Sequence, residues 1–364
     1  RPRASECESC DLESSCGEIR LPLIVTRTPF RITLGGGGTD LPAFYRQHGG
    51  YILGLGIDKY MYVALNVPYV DRLVRLHYTQ SETVERVDQL KHELAREALM
   101  RHGIRDAIEI SSLADLPAGT GLGSSSCYIV GLLNAIRGYL VRPADFAQLA
   151  EEACEIEIDV LHKPIGKQDP YMAAFGGLTE LRIAQDGCVE VERVALPGYA
   201  ISELVSKTHL YYTNVQRPAV EILGEERAAL ERGDRNVRDT LCQMLEIGLQ
   251  IGRAVRACDF DRFGSLLHEH WTLKKKLSSK VALEPIEALY ERVRNEFGVL
   301  GGKIAGAGGG GFLMLYCPSE GDRLTEFMQS RGMARLTYDA EFEGSRILTN
   351  VLASRSVHYH LNRT

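Results

Sequence analysis

The run Pro117-Ala118-Gly119-Thr120-Gly121-Leu122-Gly123-Ser124-Ser125-Ser126 sets three glycines within five positions and follows them with three hydroxyls. Glycines let backbone approach an anion closely, and a helix N-terminus offers unpaired N–H groups and a partial positive charge. The next residues, Cys127 to Ile136, are mostly apolar, as a buried helix requires. The segment reads as a phosphate-holding loop at the head of a helix, with a simple tight turn as the alternative. It lacks the Gly-Lys-Ser/Thr ending of a Walker loop.

Two further glycine runs stand beside strand-like segments. Gly35-Gly36-Gly37-Gly38-Thr39-Asp40 follows Phe30–Leu34, and Gly306-Ala307-Gly308-Gly309-Gly310-Gly311 precedes Phe312–Tyr316. Three such loops in one chain are more than accidental turns would supply. Cys7, Cys10 and Cys16 form a Cys-x-x-Cys cluster without an obvious fourth ligand, so a polar tail is expected there rather than a zinc site. The other six cysteines sit among apolar neighbours and read as small core residues.

The elements that must position these loops are strands and helices in mixed order. Leu23–Val25, Phe30–Leu34, Tyr60–Asn66, Leu73–Tyr78 and Ile108–Ile110 have strand composition. Val87, Leu90, Leu94, Ala98 and Leu99 recur at helical spacing before Gly103, and a further helix is expected from about Pro143 to Leu161. Gly187–Pro197 alternates like an edge strand. Pro218–Lys276 is dominated by helical periodicity, and a helix at Gly321–Arg331 and a strand at Ala334–Tyr338 complete the pattern. At 364 residues two domains are the natural division, placed at 20–195 and 196–350, with tails at 1–19 and 351–364. The fold class expected is α+β in two layered lobes. A net charge of −6 argues against nucleic-acid or anionic-membrane partners, and no apolar run reaches about 18 residues. No apolar secretory segment opens the sequence, and the expected location is cytoplasmic.

The three loops, in this order, resemble the motifs of the GHMP small-molecule kinases, together with Thr28-Pro29-Phe30-Arg31 ahead of the first and Lys303 opening the third. The resemblance runs from about residue 25 to 350. It is strongest to the heptose 7-phosphate kinases of that family, through Arg27–Ile32, Gly36–Pro42, Ile57–Tyr60, Gly166–Asp169, Leu210–Thr213 with Arg217, and Leu273–Lys280. It implies an N-terminal α/β (ribosomal protein S5-like) lobe and a helix-rich, ferredoxin-like C-terminal lobe. It also implies ATP and Mg²⁺, a phosphosugar substrate phosphorylated at its anomeric oxygen, and leaves a homodimer open.

Carried over by position, the resemblance makes Asp169 the base and Arg31 the cation that balances the transferring phosphoryl group. Pro117, Gly119, Gly121, Leu122, Gly123 and Ser124–Ser126 would hold the nucleotide. Ser125 would meet the metal, with Ser124 and Ser126 as rivals. Glu157 would be the second metal ligand, although Glu151, Glu152, Glu155 and Asp159 crowd the same segment. Gly36, Gly37, Gly38, Thr39 and Asp40 would bind the sugar, with Gly308 and Gly309 from the second lobe. For the substrate phosphate, Arg217 is preferred, with Lys167, Lys274, Lys275 and Lys280 as alternatives. Other readings are a kinase of an unphosphorylated sugar such as fucose or galactose, and a silent sensor that binds sugar and ATP.

Overall fold

The computed structural model describes residues 23–215, 219–278, 281 and 284–351. Cys7, Cys10, Cys16, Arg217 and Lys280 lie outside the described residues, as do the tails apart from Val351.

The first half runs β1 (Leu23–Gly35), α1 (Pro42–His48), β2 (Gly50–Asn66), β3 (Val74–His77), β4 (Ser81–Val84), α2 (Glu93–Arg101), β5 (Ile108–Ala114) and α3 (Ser124–Tyr139). It continues with α4 (Phe146–Cys154), a π-helical turn (Glu155–Val160), α5 (Gln168–Phe175), β6 (Leu178–Ile183) and β7 (Val189–Arg193). The second half runs α6 (Gly198–Lys207), β8 (Thr208–Tyr212), α7 (Ala219–Glu231), α8 (Arg235–Arg256), α9 (Phe260–Lys274) and α10 (Glu284–Glu296). It ends with β9 (Gly301–Ile304), β10 (Phe312–Tyr316), α11 (Gly321–Ser330), β11 (Arg335–Leu336) and β12 (Arg346–Val351). The expected α+β class is borne out. Among the described residues no helix is long and apolar enough to cross a membrane.

The larger sheet has the order β12-β1-β2-β5-β3-β4, and β6 with β7 extends it from the other half of β2. Met61–Asn66 of β2 pairs with β5, while Gly50–Leu55 pairs with β6. The two strand segments expected at Leu23–Val25 and Phe30–Leu34 are one strand. Pro29 stays within it because the register shifts there: Pro29 faces Tyr60, and Phe30 faces Ile57. A bulge is where a strand tolerates a residue that cannot donate to the ladder. The smaller sheet has the order β11-β8-β10-β9.

Helix α3 is the spine of the first lobe, with Ser126–Leu133 buried throughout. It approaches β1 closely at Gly131, whose carbonyl accepts the Thr26 hydroxyl at 2.9 Å and where an added Cβ would lie 2.9 Å from Thr28 Oγ1.

Three expectations change in detail. The helix over Val87–Leu99 divides into a short 3₁₀ turn at Val87–Gln89 and α2, where His92 Nδ1 caps by accepting from Ala95 N at 3.3 Å. The Pro143–Leu161 helix is α4 followed by the π-helical turn. The boundary at 195/196 does not separate the layers cleanly. β12 pairs with β1, and Gly248 of α8 packs on Gly36, where an added Cβ would stand 2.9 Å from that Cα. An amphipathic helix and an edge strand of the second half thus help to cover the first sheet.

Candidate active site

β1 and α5 bring Arg31 and Asp169 together. Arg31 is 3% exposed, and its Nη2 and Nε reach Asp169 Oδ1 at 2.6 and 2.8 Å. Its Nη1 donates to the Gly121 carbonyl at 2.8 Å, and its backbone N–H donates to Leu122 at 3.3 Å. One arginine therefore ties the first strand to the phosphate-type loop and holds a carboxylate beside it. Asp169 lies in the first turn of α5, where Pro170 is tolerated because N–H groups there have no helical partner. Gln168 Nε2 also donates to Oδ1, at 2.8 Å, while anchored on Thr33 Oγ1 at 2.7 Å. With Oδ1 so occupied, no donor among the described residues reaches Oδ2, the oxygen left to face a ligand.

The loop before α3 has the conformation its glycines allow. Gly119, Gly121 and Gly123 all have positive φ, at 77°, 80° and 88°. Gly123 sits at the cap of α3 against the Arg31–Asp169 pair, so the helix start opens toward those side chains. Ser125 Oγ donates to Glu157 Oε1 at 2.6 Å, and Ser126 Oγ donates to Oε2 at 2.8 Å. The rivals of Glu157 are engaged elsewhere or exposed. Glu151 holds Lys167 and Tyr171, Glu152 holds Arg137 and His102, Glu155 holds Arg101, and Asp159 is exposed. The π-helical turn carries Glu157 inward beneath the serines, a device common at functional sites.

Burial pushes the Glu157 carboxyl up, and the Ser125 hydrogen bond and the Lys163 ammonium at 3.7 Å oppose that rise. Ser125 is exposed at the cleft, whereas Ser126 is buried. A carboxylate and a hydroxyl are hard oxygen donors of the kind Mg²⁺ takes alongside water and phosphate oxygens. These two residues fit such an ion. Among the described residues no group of three or more His, Cys, Asp and Glu is placed so that it could hold a metal ion by itself.

Arg31, Asp40, Ser125, Glu157 and Asp169 line one cleft of about 260 Å³. Asp40 Oδ2 accepts from Gln168 N at 3.0 Å and Oδ1 from Gly38 N at 3.3 Å. Burial raises its carboxyl, and those backbone donors pull the other way. Gly166 makes room for it: an added Cβ would lie 2.0 Å from Asp40 Oδ2. Gly166→Ala is expected to destabilise by about 1–3 kcal/mol through overpacking. Chemical unfolding checks this, with the urea midpoint falling and the slope unchanged.

The other sequence candidates separate. Gly37 and Gly38 line the cleft. Gly36 is instead pressed against Tyr51, where a Cβ would stand 1.8 Å from the carbonyl oxygen, and the Thr39 hydroxyl is spent on the Gly36 and Tyr51 carbonyls. Both shape the turn rather than face a ligand. Lys167 points away from the cleft, its ammonium held by Glu151 Oε1 at 2.6 Å and the Gly187 carbonyl at 2.7 Å. Lys275 pairs with Glu287. Gly308 and Gly309 turn toward Val281, whose carbonyl accepts Gly309 N at 2.8 Å, and it is Gly306 and Ala307 that reach the cleft. Gly306 packs on Gly121 and Gly311 on Thr120, so the third loop braces the second by close backbone contact.

Three buried groups of the cleft come from the second half of the chain. Lys274 of α9 donates to the Gly306 carbonyl, Lys303 of β9 reaches the Leu34 carbonyl at 3.3 Å, and Glu226 of α7 stands near Lys274. Burial lowers both lysines, and for Lys303 the charges of Lys274 and Arg31 lower it further. Sequence alone does not mark Lys303 or Glu226 as a site residue. Glu226 had one signal: it lies on the Ile222–Ala229 stripe of α7, which is buried.

Comparison with known proteins agrees with this geometry. The family description GHMP kinases N terminal domain matches residues 84–177, and GHMP kinases C terminal matches residues 253–333. The chain is 28% identical over 304 residues to D-glycero-alpha-D-manno-heptose 7-phosphate kinase of Campylobacter jejuni, covering 80% of this chain and 89% of that one. A crystal structure of a D-glycero-D-manno-heptose 1-phosphate kinase from Bacteroides thetaiotaomicron superposes with a TM-score of 0.73 at 22% identity, covering 90% and 99% of the two chains. Lactococcus lactis galactokinase complexed with galactose gives 0.72 at 19% identity, covering 90% and 95%. At those identities the two structures speak to fold alone. With both family domains present in order, around a cleft built where its glycine loops meet, this chain belongs to the GHMP kinase family.

Proposed function

We propose that this chain is an ATP- and Mg²⁺-dependent sugar kinase. It transfers a phosphoryl group to the anomeric C1 hydroxyl of D-glycero-D-manno-heptose 7-phosphate, giving the 1,7-bisphosphate and ADP. The observation that carries the reading is the Arg31–Asp169 pair set against the open start of α3. A carboxylate and a guanidinium facing a phosphate-type helix start are what in-line phosphoryl transfer asks of a protein, which is alignment and charge neutralisation. The heptose is supported by the likeness to the Campylobacter jejuni enzyme.

In this mechanism Asp169 Oδ2 takes the proton of the C1 hydroxyl as its oxygen bonds to the γ-phosphorus. The bond from that phosphorus to the bridging oxygen breaks, and its electron pair leaves with ADP. Arg31 balances charge on the moving phosphoryl group. An anomeric hydroxyl is more acidic than an ordinary alcohol, so a guanidinium-paired carboxylate suffices as base. Ser125 and Glu157 would hold Mg²⁺, which when bound neutralises phosphate oxygens.

The sugar's 7-phosphate needs its own cation, and Arg217 is the residue we assign to it. Arg217→Ala is expected to raise KM for the phosphorylated heptose about tenfold or more while barely changing KM for an unphosphorylated analogue. Equal changes would remove Arg217 from phosphate recognition. The test of the function itself is ATP turnover against D-glycero-D-manno-heptose 7-phosphate, sedoheptulose 7-phosphate, mannose, fucose and galactose. Selective turnover of the heptose phosphate, with new phosphate at C1, is expected. Turnover of fucose or galactose alone would keep the chemistry and discard the heptose. Binding without turnover would make the chain a sensor.

A further inference from the structure

Among the described carboxyls that line the cleft, Asp169 and Glu157 serve the mechanism above and Asp40 is the sugar-binding candidate, which leaves Glu226 without a role. Its neighbours on the same helical face, Ile222 and Ala229, are buried, so α7 turns a carboxyl inward where another apolar side chain would fit its pattern. The side chain is 1% exposed, and its Oε1 has no hydrogen-bond partner among the described residues. A Cβ placed on Gly38 would stand 3.9 Å from Oε2, so Glu226 looks across the lobe boundary at the Gly36–Asp40 turn. Burial pushes the carboxyl up to about 7, with Lys274 opposing and Asp40 adding to the rise.

A buried acceptor left empty is costly, and an apolar residue at this position would avoid that cost. The arrangement makes sense when a ligand completes it. Two carboxyls facing one space from opposite lobes repel a phosphate but accept hydrogen bonds from hydroxyls. We propose that Glu226 is a specificity-determining residue whose unpartnered Oε1 accepts a hydrogen bond from a hydroxyl of the sugar, held between it and Asp40. This rests on the sugar-kinase reading given above. Because Asp40, Arg31 and Asp169 come from the first lobe and Glu226 from the second, the sugar is itself a link between lobes. A site built to bond a hydroxyl rejects an analogue that lacks it, since the buried partner is then left unpaired.

The test is steady-state kinetics of the full chain, E226A and E226Q with D-glycero-D-manno-heptose 7-phosphate and its monodeoxy analogues. In the wild type, one analogue should lose about tenfold or more in kcat/KM. In E226A, KM for the parent sugar should rise about tenfold with kcat and the KM for ATP little changed, and the penalty on that one analogue should vanish. E226Q keeps an acceptor oxygen and the shape of the side chain, so it should recover part of the loss. Unchanged sugar KM in both variants, or equal losses with every analogue and with ATP, would overturn the assignment. Wild-type failure on every sugar overturns the sugar-kinase reading and this inference together. Normal wild-type turnover beside an unaffected E226A overturns this inference alone.

Discussion

Replacing Asp169 with Asn should lower kcat by on the order of 10²–10⁴ while leaving nucleotide affinity unchanged. The substitution keeps size and shape. An amide oxygen at the Oδ1 position still accepts from Arg31 Nη2 and Nε and from Gln168 Nε2, the three donors that fix the side chain. What is lost is the second oxygen's capacity to take a proton. Ser125 and Ser126 at the start of α3 bond to Glu157 and not to Asp169, so their end of the cleft is undisturbed. Single-turnover kinetics with saturating sugar, paired with nucleotide titration, separates the two effects. Phosphoryl transfer through a loose transition state asks little of a base, so the size of the loss measures how far O–H cleavage has advanced. Wild-type kcat in Asp169→Asn would remove proton transfer from the role of this residue and leave Arg31 as the active member of the pair.

The three glycine loops were legible because close backbone approach has no substitute in other residue types. Gly121 against Gly306 and Gly311 against Thr120 show why the second and third runs exist. Arg31, Ser125, Glu157 and Asp169 were reachable only through the family likeness. Their spacing along the chain says nothing about a strand, a helix cap, a π-helical turn and a second helix start meeting at one point. The misplacements have a common cause. Lys167 and Gln168 are adjacent in sequence, yet one turns to Glu151 and the other to Thr33, because neighbouring residues at a helix start point in different directions. Gly308 and Gly309 share a run with Gly306 but bend toward Val281.

Charged residues were the hardest to read. Lys274, Lys303 and Glu226 are all under 8% exposed, against the strong tendency of such side chains to stay in water. In the sequence Lys274 is one of several cations available to the substrate phosphate, and nothing there marks it as buried. The chain places these groups at the junction of its halves, where α7, α9 and β9 face the Gly36–Asp40 turn. That junction also explains why a single boundary at 195/196 divides the chain poorly. Each lobe alone would leave buried charges without the surroundings that make them tolerable.

Replacing Glu157 with Gln separates stability from function in opposite directions. The carboxyl is held up by burial, so the folded state keeps its proton to a higher pH than the unfolded chain, whose value is near 4.5. Between those two values the folded state binds more protons, and stability therefore falls as pH rises through that window and levels off above it. Glutamine does not titrate, and its oxygen and amide can bond to the Ser125 and Ser126 hydroxyls, one as acceptor and one as donor. The ligand-free variant should lose less stability on going from pH 4.5 to 8 than the wild type, read from urea midpoints across that range. The same change removes a charged oxygen donor, so the Mg²⁺ concentration for half-maximal turnover should rise by roughly 10–100-fold or more. A variant less pH-sensitive in stability and starved of metal is the expected pair of results. Unchanged Mg²⁺ dependence would make Glu157 a brace for the serines rather than a ligand, and the Ser124 and Ser125 hydroxyls would then be the groups to test against the metal.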